Sequence, residues 1–275
     1  MKTALILGIT SDIGHELAIR LVRDGWEVIG TCRTSAKPRN SEVEPWTLIP
    51  CDFSTAKSVD QAIRSFLTKR SRWALVVVAV GSEEPIGPFF ECDSSDWERG
   101  LHINALAPLR FLKGIHDSRD LSDEPCVAFF SGSGTNKAVP AYSSYCVSKI
   151  LLIKMCELLD AECSDTNFFI IGPGIVRTKI HQQTLDASTK AGENYKKVVD
   201  FLASEDPGTN HDDIYRCLLW CKAAGKSVMG GRNIALAHDE WRDDSSSLLS
   251  MLKADRDLYR LRRHGNHLKF TIPTR

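Results

Sequence analysis

Thr3-Ala-Leu-Ile-Leu-Gly8-Ile-Thr-Ser-Asp12-Ile-Gly14 opens the chain with an apolar run that ends in glycine, and helical periodicity follows directly after it. A strand, a glycine-containing turn and a helix in this order are typical of the first unit of a parallel nucleotide-binding sheet. Gly8 permits a tight turn at the strand exit, and the N-terminus of the helix offers free N–H groups to a pyrophosphate. Asp12 replaces the middle glycine of the usual pattern, so it either caps the helix or faces the ligand. A turn that binds no ligand is the remaining alternative.

The composition is that of an ordinary globular protein and excludes several classes of function. The 275 residues are 43% hydrophobic and 25% charged, with a formal net charge of zero. We therefore expect no nucleic acid and no membrane surface as the main partner. The apolar runs are too short for a membrane-spanning helix, and the opening residues do not form a signal peptide. Nine dispersed cysteines without metal-type spacing predict reduced thiols, no metal site and a cytoplasmic location.

Further apolar segments alternate with helical patterns along the rest of the chain. We predict an α/β doubly wound Rossmann fold, with a parallel sheet of about seven strands and helices on both faces. In this interpretation residues 1–240 form one domain, the polar residues 179–210 form a mobile lid, and residues 241–275 form an extension packed on the body or on a neighbouring subunit. The later strands are expected within Gly25–Arg33, Trp46–Phe53, Ala74–Val80, Cys126–Phe130, Asn167–Ile171 and Asn233–Ala237.

The end of the second predicted strand bears on the choice of nicotinamide cofactor. An acid at this position binds the 2′-hydroxyl of the adenosine ribose, but Cys32 and Arg33 stand here, with Lys37 nearby. A guanidinium suits a 2′-phosphate, so the sequence favours NADP over NAD. A solvated surface arginine is the alternative. After the third strand, Asp52 either accepts a hydrogen bond from the adenine amino group or belongs to the N-cap region of the next helix.

Tyr145 and Lys149 are four residues apart, so on a helix their side chains share one face. An ammonium beside a phenol favours the phenolate, which makes tyrosine a usable general acid or base near neutral pH. This spacing alone is a weak signal, because many exposed helices carry it by chance. Its weight comes from the polar residues that surround it in the sequence.

Two serines and one asparagine are the further candidates for the site. Ser131 and Ser133 follow the fifth predicted strand, at the edge of the sheet where ligands of α/β proteins bind. Both also fit simple turn chemistry. Asn104 lies on an otherwise apolar helical pattern, and a buried amide must be hydrogen-bonded. It either stabilises a kink before Pro108 or anchors a water molecule in a proton path.

Taken together, these residues resemble the short-chain dehydrogenase/reductase family, in its compact single-domain branch, from Thr3 to about Ala237. The resemblance implies that Tyr145 exchanges a proton with the substrate oxygen, while Lys149 lowers the pKa of that tyrosine and binds the nicotinamide ribose. It also implies that Ser131 orients the substrate and that Asn104 holds a water molecule linked to Lys149. The cofactor-binding residues implied for NADP(H) are Gly8, Thr10, Ser11, Asp12, Ile13, Gly14, Arg33, Asp52, Phe53, Val80, Gly81, Tyr145, Lys149, Pro173, Gly174, Val176 and Thr178.

The chain departs from the family pattern at three places. Asp12 puts a carboxylate near the pyrophosphate unless its side chain points away. Val78 and Ala79 replace two asparagines that brace the central strand of the family. The usual spacing of thirteen residues before the tyrosine falls on Gly132, so Ser131 is favoured as the first residue off the strand and Ser133 remains an alternative.

The leading hypothesis is an NADP(H)-dependent enzyme that interconverts a ketone and a secondary alcohol on a small polar substrate. Four stretches, among them Glu84-Pro-Ile-Gly-Pro-Phe and His238-Asp-Glu-Trp, resemble a subgroup associated with surface polysaccharides, which implies a sugar-like substrate. The alternative is an NADP(H)-binding sensor or scaffold protein without turnover. A nucleotide-sugar epimerase would need a larger substrate domain. Pairing through the helices that carry Asn104 and Tyr145 is implied by the family, as a homodimer or homotetramer.

Overall fold

Seven parallel strands form one sheet in the order β3-β2-β1-β4-β5-β6-β7, which confirms the predicted fold class. The computed structural model describes residues 1–33, 45–242 and 246–262, so Lys37 lies outside the described residues. Every strand pairs with its neighbours in parallel register. The strands are β1 (Thr3–Leu7), β2 (Glu27–Cys32), β3 (Thr47–Pro50), β4 (Trp73–Val78), β5 (Cys126–Phe130), β6 (Asn167–Gly172) and β7 (Arg232–Ala235).

Helices cover both faces of this sheet. They are α1 (Asp12–Arg23), α2 (Ala56–Thr68), α3 (Ser94–Leu101), α4 (Ala107–Ile115), α5 (Ser143–Glu162), α6 (His181–Ala187), α7 (Glu193–Ala203), α8 (His211–Ala224), α9 (Lys226–Met229) and α10 (Ser246–Ala254). A π-helical turn, His102–Leu106, joins α3 to α4.

The core has two layers, one on each face of the sheet. Ala4 and Ile6 of β1 pack against α1, α8 and α10, whereas Leu5 and Leu7 face the opposite layer with α2, α4 and α5. Successive side chains of a strand point to opposite faces, so a strand covered on both faces needs apolar residues at every position. This explains why Trp73–Val78 of β4 is buried throughout.

The strand order reverses between β1 and β4, which are neighbours in the sheet but not in the sequence. The amide of Ala79 donates to the carbonyl of Leu7 at 2.9 Å, so the two strand exits remain paired beyond the ends of the strands. Crevices for ligands form at such a switch point, outside the carboxyl ends of the strands. The glycine turn after β1 and the loop after β4 therefore border the same crevice.

The segment 179–210, predicted as a mobile lid, contains the helices α6 and α7. Thr184 of α6, Ala191 between the two helices and Phe201 of α7 are buried, so the segment packs on the body of the protein. Beyond β7, Leu248 and Leu252 of α10 are buried in the core. The part of the extension after residue 262 lies outside the described residues.

All nine cysteines are free, and none pairs with another. Among the residues that the structure describes, no helix has the length and apolar character needed to cross a bilayer.

Candidate active site

Tyr145 and Lys149 lie one turn apart near the N-terminus of α5, where they face the carboxyl end of β5. Both side chains are buried, with Tyr145 8% and Lys149 5% exposed. The ammonium nitrogen of Lys149 is 5.4 Å from the centroid of the Tyr145 ring. The same nitrogen donates to the carbonyl oxygen of Phe130, the last residue of β5, at 3.1 Å. The helical spacing thus brings a phenol and an ammonium together at the crevice.

Burial dominates the protonation of this pair. It raises the pKa of Tyr145, with a smaller contribution from the carboxylate of Glu83, and it lowers the pKa of Lys149 to about 8. The cause is desolvation, which disfavours the charged form of each group. Lys149 is not among the groups that shift the Tyr145 pKa here, so the lowering of that pKa by Lys149 stays a prediction.

The structure separates the two candidate serines by exposure. Ser131 is 6% exposed at the end of β5, and its amide donates to the carbonyl of Ile171 at 3.0 Å. Ser133 is exposed. Gly132 between them lies directly against the Tyr145 hydroxyl, so closely that any side chain on Gly132 would overlap it. A serine at the spacing usual in the family would consequently collide with the tyrosine, and the neighbouring Ser131 is the buried hydroxyl next to that contact.

Asn104 occupies the middle of the π-helical turn and is completely buried. Its carbonyl oxygen accepts from the amide of Ser82, and its amide nitrogen donates to the carbonyl of Ser82, each at 2.8 Å. Both predicted roles for Asn104 require hydrogen-bond partners for its buried amide. In the structure these partners are backbone groups of the loop after β4, so Asn104 fixes the start of that loop beside the crevice.

The turn between β1 and α1 has the tight geometry expected of a phosphate-binding turn. Gly8 has φ +84°, and its amide donates to the hydroxyl of Thr31 on β2 at 2.9 Å. Ser11 caps α1, because its hydroxyl accepts from the amide of Gly14 at 3.0 Å. The prediction that Asp12 caps the helix is wrong, since the Ser11 side chain already occupies that position. Thr10, Ile13 and Gly14 complete the turn around the N-terminus of α1.

Asp12 accepts a hydrogen bond from the first residue of the lid. Its carboxylate accepts from the backbone amide of Lys179 at 2.7 Å. The ammonium of Lys179 donates to the carbonyl oxygen of Thr10 at 2.6 Å. The residue that replaces a glycine thereby joins the turn to the segment that follows Thr178.

The adenosine end of the crevice contains a cation and an acid. Arg33 is exposed at the end of β2. The carboxylate of Asp52 accepts from the amide of Ser54 at 2.9 Å, and this bond, with a smaller effect of Arg33, lowers its pKa. Thr55 rather than Asp52 caps α2. Phe53 is buried against Phe111, so its side chain belongs to the core rather than to the crevice.

Beyond the central strand the backbone leaves room for a ligand. Gly81 is exposed, and a side chain placed on it would meet no protein atom within 4 Å. Val80 before it is partly buried. After β6, Gly174 has φ +76°, Pro173 and Val176 are buried, and Thr178 is partly buried at the start of the lid. These glycines and the free N-terminus of α1 fit a dinucleotide, whereas the carboxylate of Asp12 adds negative charge beside its pyrophosphate.

Sequence reasoning did not identify a polar network beside Tyr145. Thr184 of α6 donates to the carboxylate of Glu83 at 2.9 Å, and its hydroxyl lies 2.7 Å from the hydroxyl of Tyr142. Gln183 accepts from the amide of Glu83 at 2.7 Å. Burial raises the pKa of Glu83 to about 7. The contacts join residues about 40 and 100 positions apart, so no local pattern in the sequence signals them.

Comparison with known proteins supports the same fold. The family model for short chain dehydrogenases matches residues 2–189. Dehydrogenase/reductase SDR family member 4 of Sus scrofa is 25% identical over 236 residues, which cover 74% of this chain and 81% of that protein. Protein FixR of Bradyrhizobium diazoefficiens is 25% identical over 227 residues, with the same two coverages. A short chain dehydrogenase/reductase structure from Saccharomyces cerevisiae superposes with a TM-score of 0.74 at 17% identity, over 88% of this chain and 99% of that chain.

Proposed function

Because the chain belongs to the short-chain dehydrogenase/reductase family, whose members are oxidoreductases that use nicotinamide cofactors, we propose that it is an NADP(H)-dependent enzyme. The proposed reaction interconverts a ketone and a secondary alcohol on a small, polar, sugar-like substrate. The observation that carries this proposal is the pair of Tyr145 and Lys149 on one face of α5, buried at the crevice next to Ser131.

The side chains have separate roles in this reaction. The cofactor supplies or accepts the hydride. Tyr145 gives its proton to the carbonyl oxygen in reduction, and the raised pKa of its phenol keeps that proton available at neutral pH. Ser131 hydrogen-bonds the same oxygen and orients it. The ammonium of Lys149 stabilises the phenolate that Tyr145 becomes, and in the opposite direction each proton transfer is reversed.

Arg33 supports NADP rather than NAD. Its guanidinium is exposed at the end of β2, where Cys32 and Arg33 stand in place of the acid that would repel a 2′-phosphate. We expect Arg33→Ala to weaken NADPH binding by about tenfold or more, the value of one charge-assisted contact, and to leave NADH binding unchanged. Arg64, which is exposed on α2, provides the matched control. Equal losses for both cofactors would contradict the choice of NADP.

A polar substrate is supported by the groups near Tyr145. Glu83, Thr184 and Tyr142 form a hydrogen-bonded network of a carboxylate and two hydroxyls. Next to them lies a cavity of about 330 Å³. Its lining is mostly polar and charged and includes Glu84, Asp96, Arg99, Gln183, Asp186 and Lys190. Hydrogen-bonding groups of this density suit a substrate with several hydroxyls better than an apolar ketone.

The proposal is tested by NADPH and NADH oxidation with a panel of carbonyl compounds that includes keto-sugars and nucleotide-linked keto-sugars. Tyr145→Phe should lower turnover by a factor of about 10²–10⁴, the usual contribution of a general acid, without changing cofactor affinity. Tyr195→Phe is the control, because Tyr195 is an exposed tyrosine on α7. Unchanged turnover in Tyr145→Phe would refute the assignment.

The carboxylate of Asp12 at the first turn favours a second candidate, a cofactor-binding sensor or scaffold without turnover. This candidate predicts NADPH binding with no oxidation on any member of the panel, and a protein partner whose affinity depends on NADPH. Retention of both Tyr145 and Lys149 favours the enzyme, since a sensor has no need of a proton donor.

We also propose a homodimer or homotetramer that pairs through α4 and α5. Exposed apolar side chains on α5 and on the π-helical turn before α4 support the pairing, among them Val147, Leu158 and Leu106. A cytoplasmic location is supported by the nine free thiols. Light scattering measures the mass directly, and Val147→Lys should shift it toward the monomer if α5 forms the contact.

A further inference from the structure

Lys179 joins two elements that are far apart in the sequence. It begins the lid, directly after Thr178, yet both of its polar ends contact the turn between β1 and α1. Its backbone amide donates to Asp12 at 2.7 Å, and its ammonium donates to the carbonyl of Thr10 at 2.6 Å. Two contacts from one residue fix both the backbone and the ammonium of Lys179 at the rim of this turn.

The turn needs a cation, because Asp12 adds a negative charge where the family has glycine. A dinucleotide pyrophosphate carries further negative charge, so a carboxylate at the N-terminus of α1 opposes its binding. Two arginines of the region are engaged elsewhere. Arg177 donates to the carbonyls of Phe201, Leu202, Ser204 and Asp206, and Arg20 is paired with Glu16 and Asp212.

His211 does not replace the missing positive charge. The charge of His211 interacts with that of Asp12, but burial lowers the pKa of the imidazole and so favours its neutral form. Lys179 therefore places its ammonium at the phosphate turn through a direct hydrogen bond to the carbonyl oxygen of Thr10.

We propose that Lys179 binds the pyrophosphate of the cofactor and that Asp12 positions it for this role. The carboxylate holds the backbone of Lys179, and the ammonium offsets the charge of that carboxylate. The proposal rests on the nicotinamide-cofactor part of the proposed function and is independent of the substrate and of turnover.

A double-mutant cycle on cofactor binding tests this inference. The purified protein, Lys179→Ala, Asp12→Gly and the double variant are titrated calorimetrically with NADPH, with ADP and with 2′-AMP. We expect Lys179→Ala to weaken NADPH and ADP binding about tenfold or more, as the loss of one charge-assisted contact. Binding of 2′-AMP, which has no pyrophosphate, should stay unchanged. In the Asp12→Gly background the same substitution should weaken binding clearly less, because the carboxylate to be offset is gone.

Each other outcome contradicts the proposal in a distinct way. Unchanged affinity in Lys179→Ala would make Lys179 a purely structural tie between lid and turn, and tighter binding would make it an obstruction. Equal losses in both Asp12 backgrounds would remove Asp12 from the role. Lys179→Arg should restore ADP binding, and thermal unfolding of each variant reports whether it is folded. If the unsubstituted protein binds neither NADPH nor ADP, the cofactor part of the proposed function fails first.

Discussion

The carboxamide of Asn104 forms a closed pair of hydrogen bonds with the backbone of Ser82, accepting from its N–H and donating to its C=O, both at 2.8 Å. This pairing links the π-helical turn between α3 and α4 to the loop that leaves the central strand β4. The next residue of that loop is Glu83, whose carboxylate accepts a hydrogen bond from Thr184 of the lid. Asn104 therefore fixes the start of the loop that carries Glu83.

Asn104→Ala should destabilise the protein by about 2–3 kcal/mol, because the partly buried N–H and C=O groups of Ser82 lose their partners. We also expect a rise in KM that exceeds any change in NADPH affinity, since the disturbed loop borders the substrate rather than the pyrophosphate. Urea denaturation and steady-state kinetics measure the two effects. Asn194→Ala is the control, because that side chain makes one surface hydrogen bond to Pro140. A variant as stable as the parent would contradict the bracing role.

Ser131→Ala should lower turnover by a factor of about 10²–10⁴, whereas the same change at Ser133 should have little effect. Ser131 is buried beside the Gly132 contact with Tyr145, and Ser133 is exposed. Steady-state rates on any substrate found in the panel measure the difference, and NADPH affinity should remain unchanged in both variants. Loss of activity in Ser133→Ala alone would assign the substrate oxygen to Ser133 instead.

The sheet and its two layers were predictable because the information is local. Ala74–Val80 is apolar at every position, and Leu17, Ala18 and Leu21 recur at helical spacing, so strand and helix can be recognised within a short window. The pairing of Tyr145 with Lys149 was predictable for the same reason, since helical geometry brings residues four apart onto one face. Both predictions depend on neighbours in the sequence.

The protonation of the site and the contacts of the lid were not predictable, because they depend on distant residues. The pKa of Tyr145 is set by how completely the tertiary structure buries it, which the sequence does not state. The contacts of Lys179 with the first turn span more than 160 residues. Polarity of residues 179–210 predicted a mobile lid but not the helices α6 and α7 within it, which need only a few buried side chains to pack on the body.

Arg232→Leu should destabilise the protein by about 3 kcal/mol and release the C-terminal extension. Arg232 on β7 is 3% exposed, and its guanidinium donates to the carbonyls of Leu252, Asp255 and Leu258. Leucine leaves these acceptors without a donor. Limited proteolysis should then cut within residues 246–262, while Arg64→Leu on the surface of α2 should change nothing. Continued protection of this segment would show that packing of α10 alone holds it.

Glu83→Gln should stabilise the protein, and the gain should grow as the pH rises. Burial raises the pKa of Glu83 from its ordinary 4.5 to about 7, so between these values the folded protein holds a proton that the unfolded chain has lost. The free energy of unfolding of the parent therefore falls through this range, and the full cost is present above pH 7. Glutamine carries no charge and still offers an oxygen to Thr184. We expect no difference near pH 4 and a gain on the order of 2 kcal/mol at pH 8, measured by urea denaturation.

The exposed neighbour Glu84 is the matched control, because its carboxylate lies in solvent and Glu84→Gln should leave the pH dependence of stability unaltered. Thr184, Tyr142 and Tyr145 face Glu83, and none of these three supplies a positive charge that would hold the carboxylate ionised.

A protonated Glu83 at neutral pH can donate a hydrogen bond to a substrate oxygen, and an ionised one can only accept. KM in the parent should consequently change more between pH 6 and pH 8 than KM of Glu83→Gln, in which Lys149, with a pKa of about 8, still titrates. Parallel pH profiles in the two proteins would show that Glu83 does not contact the substrate.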